Sequence, residues 1–171
     1  MRYLGKLYRA LNPVHARQPL NGRTSGRGAA LHGGRFNPKG MAALYCSLSV
    51  TTAIREANQV GDLQPTTLVC YDTEIESVFD SRDDAALRDF GMDAAALADP
   101  AWRDRMRADG KSPTQAFALA LVAAGFQGLL VRSFAAGVSA DGLNLVLWNW
   151  GEEAPSRLVL IDEEGRLGPP S

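Results

Sequence analysis

No aspartate or glutamate occurs in the first 55 residues of this 171-residue chain. That stretch holds nine Lys/Arg, and residues 56–171 hold the other nine together with all 19 Asp/Glu. The formal net charge of −1 therefore conceals a cationic first third and an acidic remainder. The cations stand singly among glycines and form no Lys/Arg run. That favours a small anionic ligand over a long polyanion, a solvated cationic face being the plainer alternative. Cysteine is scarce: Cys46 and Cys70 each sit in an apolar, strand-like run and read as buried small hydrophobes. The two histidines, His15 and His32, show no zinc-ligand spacing, so no metal site is expected. No apolar run approaches the roughly 20 residues that span a bilayer. Met1–Lys6 lacks the apolar core of a signal peptide. The expectation is a cytoplasmic chain without membrane contact. Missing too are a Gly-x-Gly-x-x-Gly turn, a Gly-Lys-Ser/Thr phosphate loop, a Ser–His–Asp order and any internal repeat.

What is present suffices for one domain over residues 1–171, since 46% hydrophobic residues can build a core without staples. Strands are expected at Lys6–Leu11, Leu44–Ser47, Thr66–Tyr71, Ser77–Asp80, Gly128–Arg132, Leu143–Trp150 and Ser156–Ile161. Asn12–Gly40 reads as a long loop rich in Gly, Pro, Arg and Asn, a length that usually carries function. Ser49 is a candidate N-cap for a helix over Val50–Asn58 that Val60-Gly61-Asp62 ends. Further helices are expected over Arg82–Phe90 and Asp93–Ala98, from Pro100-Ala101-Trp102, and from Ser112-Pro113 to Ala124, with Gly125 closing the last. Leu119, Leu121 and Val122 are expected to form its apolar face. Ala135–Gly142 is a small-residue loop, and Gly165–Ser171 a tail. Trp148 and Trp150 alternate on a strand and should share a buried face. Helices are inserted mainly in the middle rather than after each strand, which predicts an α+β fold.

Residues 33 to 56 hold three chemistries close together. Gly33-Gly34-Arg35-Phe36-Asn37-Pro38-Lys39-Gly40 places a cation in a glycine-rich loop. Leu44-Tyr45 places a phenol on a strand. Ala53-Ile54-Arg55-Glu56 places the first carboxylate of the chain on a helix. A lone carboxylate beyond a purely cationic stretch suggests a site that holds an anion and stabilises a developing positive charge.

These residues resemble the RES domain, a family of toxins from bacterial toxin–antitoxin pairs. The family's Gly-Gly-Arg-Trp/Phe-Asn stretch corresponds to Gly33–Asn37, its Leu-Tyr strand to Leu44-Tyr45 and its helical Glu to Glu56. Its later Ser corresponds to Ser133, with Ser139 as the other candidate. Its closing Asn-Leu-Val-Leu strand corresponds to Asn144–Leu147, and its opening Tyr/Phe-Arg to Tyr8-Arg9. The resemblance implies a diphtheria-toxin-type ADP-ribosyltransferase-like fold, NAD+ as substrate rather than as cofactor, and an Xre-type antitoxin as partner. The ADP-ribose acceptor stays open between water, phosphate and a protein side chain.

On that reading Arg35 grips the diphosphate, because a guanidinium stays charged and binds phosphate bidentately. Arg9 is a second candidate clamp, and Gly34 with its neighbours Gly33 and Gly40 lets backbone approach the ligand. Tyr45 would stack on nicotinamide or ribose, or else is a half-buried strand tyrosine. Glu56 would stabilise the ribosyl cation or activate the acceptor, and adjacent Arg55 is a poor ion-pair partner for it on a helix. Ser133 would hydrogen-bond the nicotinamide amide or a phosphate. Asn144 would only satisfy a strand end. The alternative function is a non-enzymatic nucleotide- or RNA-binding module using the basic first third; near-zero net charge and the lack of an aromatic-plus-basic motif speak against nucleic acid.

Overall fold

The computed structural model describes residues 1–13, 24–59 and 62–167, so His15, the Val60-Gly61 helix stop and residues 168–171 of the tail lie outside the described residues. Seven strands form one sheet: β1 (Tyr3–Leu11), β2 (Leu44–Ser47), β3 (Thr67–Ile75), β4 (Val78–Asp80), β5 (Gly128–Arg132), β6 (Leu143–Leu147) and β7 (Ser156–Leu160). Their order is β4-β5-β6-β2-β1-β3-β7, antiparallel throughout except for the parallel pair β4/β5. The helices that lie wholly within the described residues are α1 (Arg27–His32), α2 (Val50–Ala57), α3 (Asp84–Asp89), α4 (Ala94–Ala98), α5 (Trp102–Asp109) and α6 (Pro113–Ala123). The expected α+β class holds. Among the described residues no helix is long and apolar enough to cross a membrane.

Alternation along the strands builds two cores. In β5 and β6, Leu130, Leu145 and Leu147 face a cluster to which all seven strands contribute, whereas Leu129, Val131 and Val146 face a second cluster covered by α3, α4 and α6. The sheet bends around the first cluster. Met1 N donates to Val78 O at 2.7 Å and Val78 N donates back to Met1 O at 2.8 Å, so β4 at one edge meets the residues that lead into β1, four strands along. In the second cluster Phe79 stands edge-on to Phe90, Phe117 and Phe126 at 5.3–5.7 Å between centroids, the arrangement that ring quadrupoles favour.

The structure departs from expectation where pairing or capping overrides local composition. Strands β1 and β3 run three and four residues beyond the expected ends because they pair over their full length, Tyr3 opposite Ile75 and Leu11 opposite Thr67. Asp72 and Glu74, which lie beyond the expected end at Tyr71, face outward, where Lys6 and Arg157 pair with Asp72 and Arg2 with Glu74. The long loop contains α1. Helix α5 starts at Trp102 rather than at Pro100, because the Asp99 carboxylate accepts from Ala101 N at 2.8 Å and turns the chain first. Leu119 and Val122 are exposed; α6 buries Thr114, Gln115, Phe117, Ala118 and Leu121 instead. Strand β6 stops at Leu147, so Trp148 and Trp150 do not share a face: Trp148 packs on the second core and Trp150 on the first. Their indole N–H groups donate to Phe36 O at 2.9 Å and Thr24 O at 2.6 Å, which ties the residues before β2 to the far end of β6.

Candidate active site

The site follows from strand register. On β2 and β6, Ser47 stands directly opposite Asn144, and on β1 Tyr8 stands opposite Ser47. Tyr8, Ser47 and Asn144 thus lie in a row across β1, β2 and β6, and Ser133 stands just past β5, two residues beyond the Val131 that faces Asn144, its N–H bonded to Gly142 O at 2.9 Å. Helix α2 lies over this row. Ser49 caps it as expected, its Oγ accepting from Thr52 N at 3.1 Å. Thr52 and Ala53 are buried, and the spacing 53, 56, 57 turns Ala53, Glu56 and Ala57 to one cleft.

Glu56 is held by three donors. Its Oε1 accepts from Ser133 Oγ at 2.5 Å and from Asn144 Nδ2, and its Oε2 accepts from Gln59 Nε2 at 2.5 Å. Asn144 is itself oriented, because its Oδ1 accepts from Ser47 Oγ at 2.7 Å, which leaves its amide nitrogen facing the carboxylate. Ser133 Oγ also accepts from Ala135 N at 3.2 Å. Ser133 thus sits on the carboxylate, while Ser139 lies on a separate small cavity beside Arg55. Arg55 packs against Gly137 and forms no ion pair with Glu56.

Across the cleft, Arg35 is carried by a turn closed by Gly34 N to Asn37 O at 2.9 Å. The buried Asn37 fixes that turn: its Nδ2 donates to Ala29 O and Met41 O, both at 2.9 Å, and its Oδ1 accepts from Tyr45 OH at 2.7 Å. Tyr45 OH accepts in turn from Phe36 N at 3.0 Å, so the hydroxyl is committed to the turn while the residue still lines the cleft. Burial raises this phenol above its ordinary range, with Phe36 N–H and Arg35 pulling the other way. A Cβ on Gly34 would overlap both Tyr45 OH and Asn37 Oδ1, which is why glycine stands there. Gly34→Ala is expected to cost about 1–3 kcal/mol by forced overpacking; a thermal melt unchanged from wild type would contradict this packing.

The Arg35 guanidinium is half-buried. Its Nη1 donates to Leu97 O and Asp99 O, both at 2.9 Å, and its carbon lies 4.4 Å from the centre of the Phe134 ring and 5.7 Å from that of Trp102. It makes no ion pair with a carboxylate among the described residues. Its Nε and Nη2 make no hydrogen bond among the described residues. Burial lowers its pKa, and the Arg103 charge lowers it further; Asp99, Glu56 and Tyr45 oppose this.

Arg35, Tyr45 and Glu56 line one cleft of about 840 Å3, within the size range of small-molecule sites. Arg9 and Gly34 line it as well, as do Lys39, Arg103, Arg107 and Arg132. Half of these six cations come from the acidic part of the chain, so the charge asymmetry along the sequence is not the charge pattern of the site. Glu56 is the one carboxylate among the lining residues described. Sequence reasoning missed the roles of Asn144, Ser47 and Gln59 at the carboxylate and of Trp102, Arg103 and Phe134 around Arg35. The only signal for Asn144 was its place in the closing strand motif. Cys46 is buried in the first core, where burial pushes its thiol up to about 12, and Cys70 is half-buried; both are free.

The RES domain family model matches residues 6–168 of the chain. None of the curated proteins compared matches it. Among solved structures, a chain from the crystal structure of the M. tuberculosis MbcT-MbcA toxin-antitoxin complex superposes with a TM-score of 0.62 at 23% identity, over 94% of this chain and 83% of that one. At that identity the likeness concerns the fold.

Proposed function

We propose that this chain, which belongs to the RES domain family, is the toxin of a toxin–antitoxin pair and breaks the nicotinamide–ribose bond of NAD+. One observation carries the reading: a fixed carboxylate and a guanidinium without an ion-pair partner among the described residues share a cleft whose other charged lining residues are cations. NAD+ matches that arrangement, with a diphosphate to be gripped and a sugar carbon that turns cationic. The N-glycosidic bond breaks with its electron pair going to the pyridinium nitrogen, and nicotinamide leaves neutral. The ribose becomes oxocarbenium-like, and the acceptor forms the new bond at the anomeric carbon and loses its proton.

Arg35 binds the diphosphate through its Nε/Nη2 edge. Glu56 stands near the ribose as a fixed negative charge. A carboxylate has about four acceptor sites, so three donors leave room for a ribose hydroxyl. Ser133 and Asn144 act through Glu56 as positioning residues, which replaces the expected contact of Ser133 with nicotinamide. The Tyr45 ring, its hydroxyl already engaged, is available only for stacking. Arg9 lies on the same cleft as a further anion contact. The reading carries an ADP-ribosyltransferase-type fold with it. It also assigns this chain a protein antitoxin, since its structural relative was crystallised in a toxin–antitoxin complex.

The test is nicotinamide release from NAD+ by purified protein with water, phosphate and protein acceptors supplied in turn. Arg35→Ala is expected to raise KM for NAD+ about 10–100-fold, the worth of a charged hydrogen bond. Folded wild-type protein that releases no nicotinamide with any acceptor sinks the reading.

A further inference from the structure

Helix α5 brings a second guanidinium to the cleft. Trp102, the first residue of α5, is buried at 8% exposure, and the Arg103 carbon lies 4.8 Å from the centre of its ring. Arg35 approaches the same indole at 5.7 Å. Two cations that converge on one ring repel each other, and the depression of Arg35 by Arg103 reports that repulsion. Neither makes an ion pair among the described residues. Asp99, the carboxylate that acts most strongly on Arg35, is engaged by Arg105 at 2.9 Å and by Ala101 N at 2.8 Å. Arg107, one turn further along α5, pairs with Asp104 at 3.4 Å, whereas Arg103 has no ion-pair partner among the described residues. Like charges held together on a cleft wall are stabilised by an anion between them.

We propose that Arg103 is the second arm of an anion clamp: with Arg35 it binds the diphosphate of the dinucleotide across the edge of Trp102. This rests on the NAD+ reading above and deepens it. The division of labour follows from the contacts. Arg35 is locked by Leu97 O and Asp99 O and by Phe134, and it sets the register of the diphosphate. Arg103 is exposed and held only by the indole face, so it closes on the second phosphate after binding. It touches the part of the substrate that does not react, and its binding contribution is the same in ground and transition states.

The experiment is calorimetric titration of the full chain with inorganic pyrophosphate and with ADP-ribose, for wild type, Arg103→Ala, Arg103→Lys and the charge-matched control Arg88→Ala. Nicotinamide-release kinetics on the same proteins accompany it. Arg103→Ala should weaken both ligands by about 10-fold or more and raise KM for NAD+ in step, with kcat unchanged. Arg103→Lys should restore part of the loss, because a point charge replaces a fork. Arg88→Ala should match wild type. The clamp is overturned if Arg103→Ala binds pyrophosphate and ADP-ribose as tightly as wild type, or if wild type binds neither. Wild-type protein that binds both ligands through Arg103 yet releases no nicotinamide would leave the clamp standing and remove the NAD+ reading.

Discussion

Glu56→Gln is expected to lower the rate of nicotinamide release by about 10²–10³, or roughly 3–4 kcal/mol of transition-state stabilisation. The substitution keeps the shape and keeps an acceptor oxygen for Ser133 and Asn144, but removes the negative charge. KM should move little, since the ribosyl cation exists only on the way to products. Asn144→Ala gives a graded version of the same effect: the charge remains, and the donor that aims it is gone. A Glu56→Gln enzyme that turns over at the wild-type rate would show that the charge opposite Arg35 has no part in bond cleavage. Circular dichroism on the variant separates this from misfolding.

Gln115→Ala is expected to cost about 3–5 kcal/mol of stability, a fall in Tm of roughly 10 °C for a chain of this size. Gln115 is fully buried. Its Nε2 donates to Gly34 O at 2.8 Å and to Asn37 O at 3.0 Å, and its Oε1 accepts from Ser112 N at 3.0 Å. Alanine would orphan the N-cap amide of α6, at about 1–3 kcal/mol, would strip one of the two hydrogen bonds from each turn carbonyl, at about 0.5–1.5 kcal/mol apiece, and would leave a cavity besides. Both carbonyls belong to the turn that carries Arg35, so KM for NAD+ should rise in the fraction that folds. A melt within a degree or two of wild type would mean that the turn stands without α6.

Much of the site was legible because it is local. Gly34, Arg35 and Asn37 lie on one turn, Tyr45 on the next strand and Glu56 on the helix after it, so the RES-type motif also describes a piece of structure. Strands β2 and β5 and the Ser49 cap were readable because apolar runs and cap residues act over a few positions. What escaped depends on long-range pairing. Asn144 faces Glu56 because β2 and β6 are neighbours in the sheet, and nothing in its own surroundings says so. Gln115 reads as one polar residue in an apolar helix; its burial has a cause only once the Gly34 turn is placed above α6. Arg103 and Trp102 lie in a stretch of alternating charge that resembles any solvated helix, and only the cleft distinguishes them. Strand β3 outran its expected end at Tyr71 for the same reason: β1 pairs with it as far as Ile75.

The hydrogen bonds that fix Glu56 span 77 residues to Ser133 and 88 to Asn144. A chain emerging from the ribosome therefore displays its carboxylate long before it has the donors that aim it. Until the last third of the protein has been translated and its strands have docked, the nascent polypeptide has every residue of the glycine-rich motif but no assembled centre. If the chain is the toxin proposed above, such an arrangement postpones the hazard of making it to the end of its own synthesis.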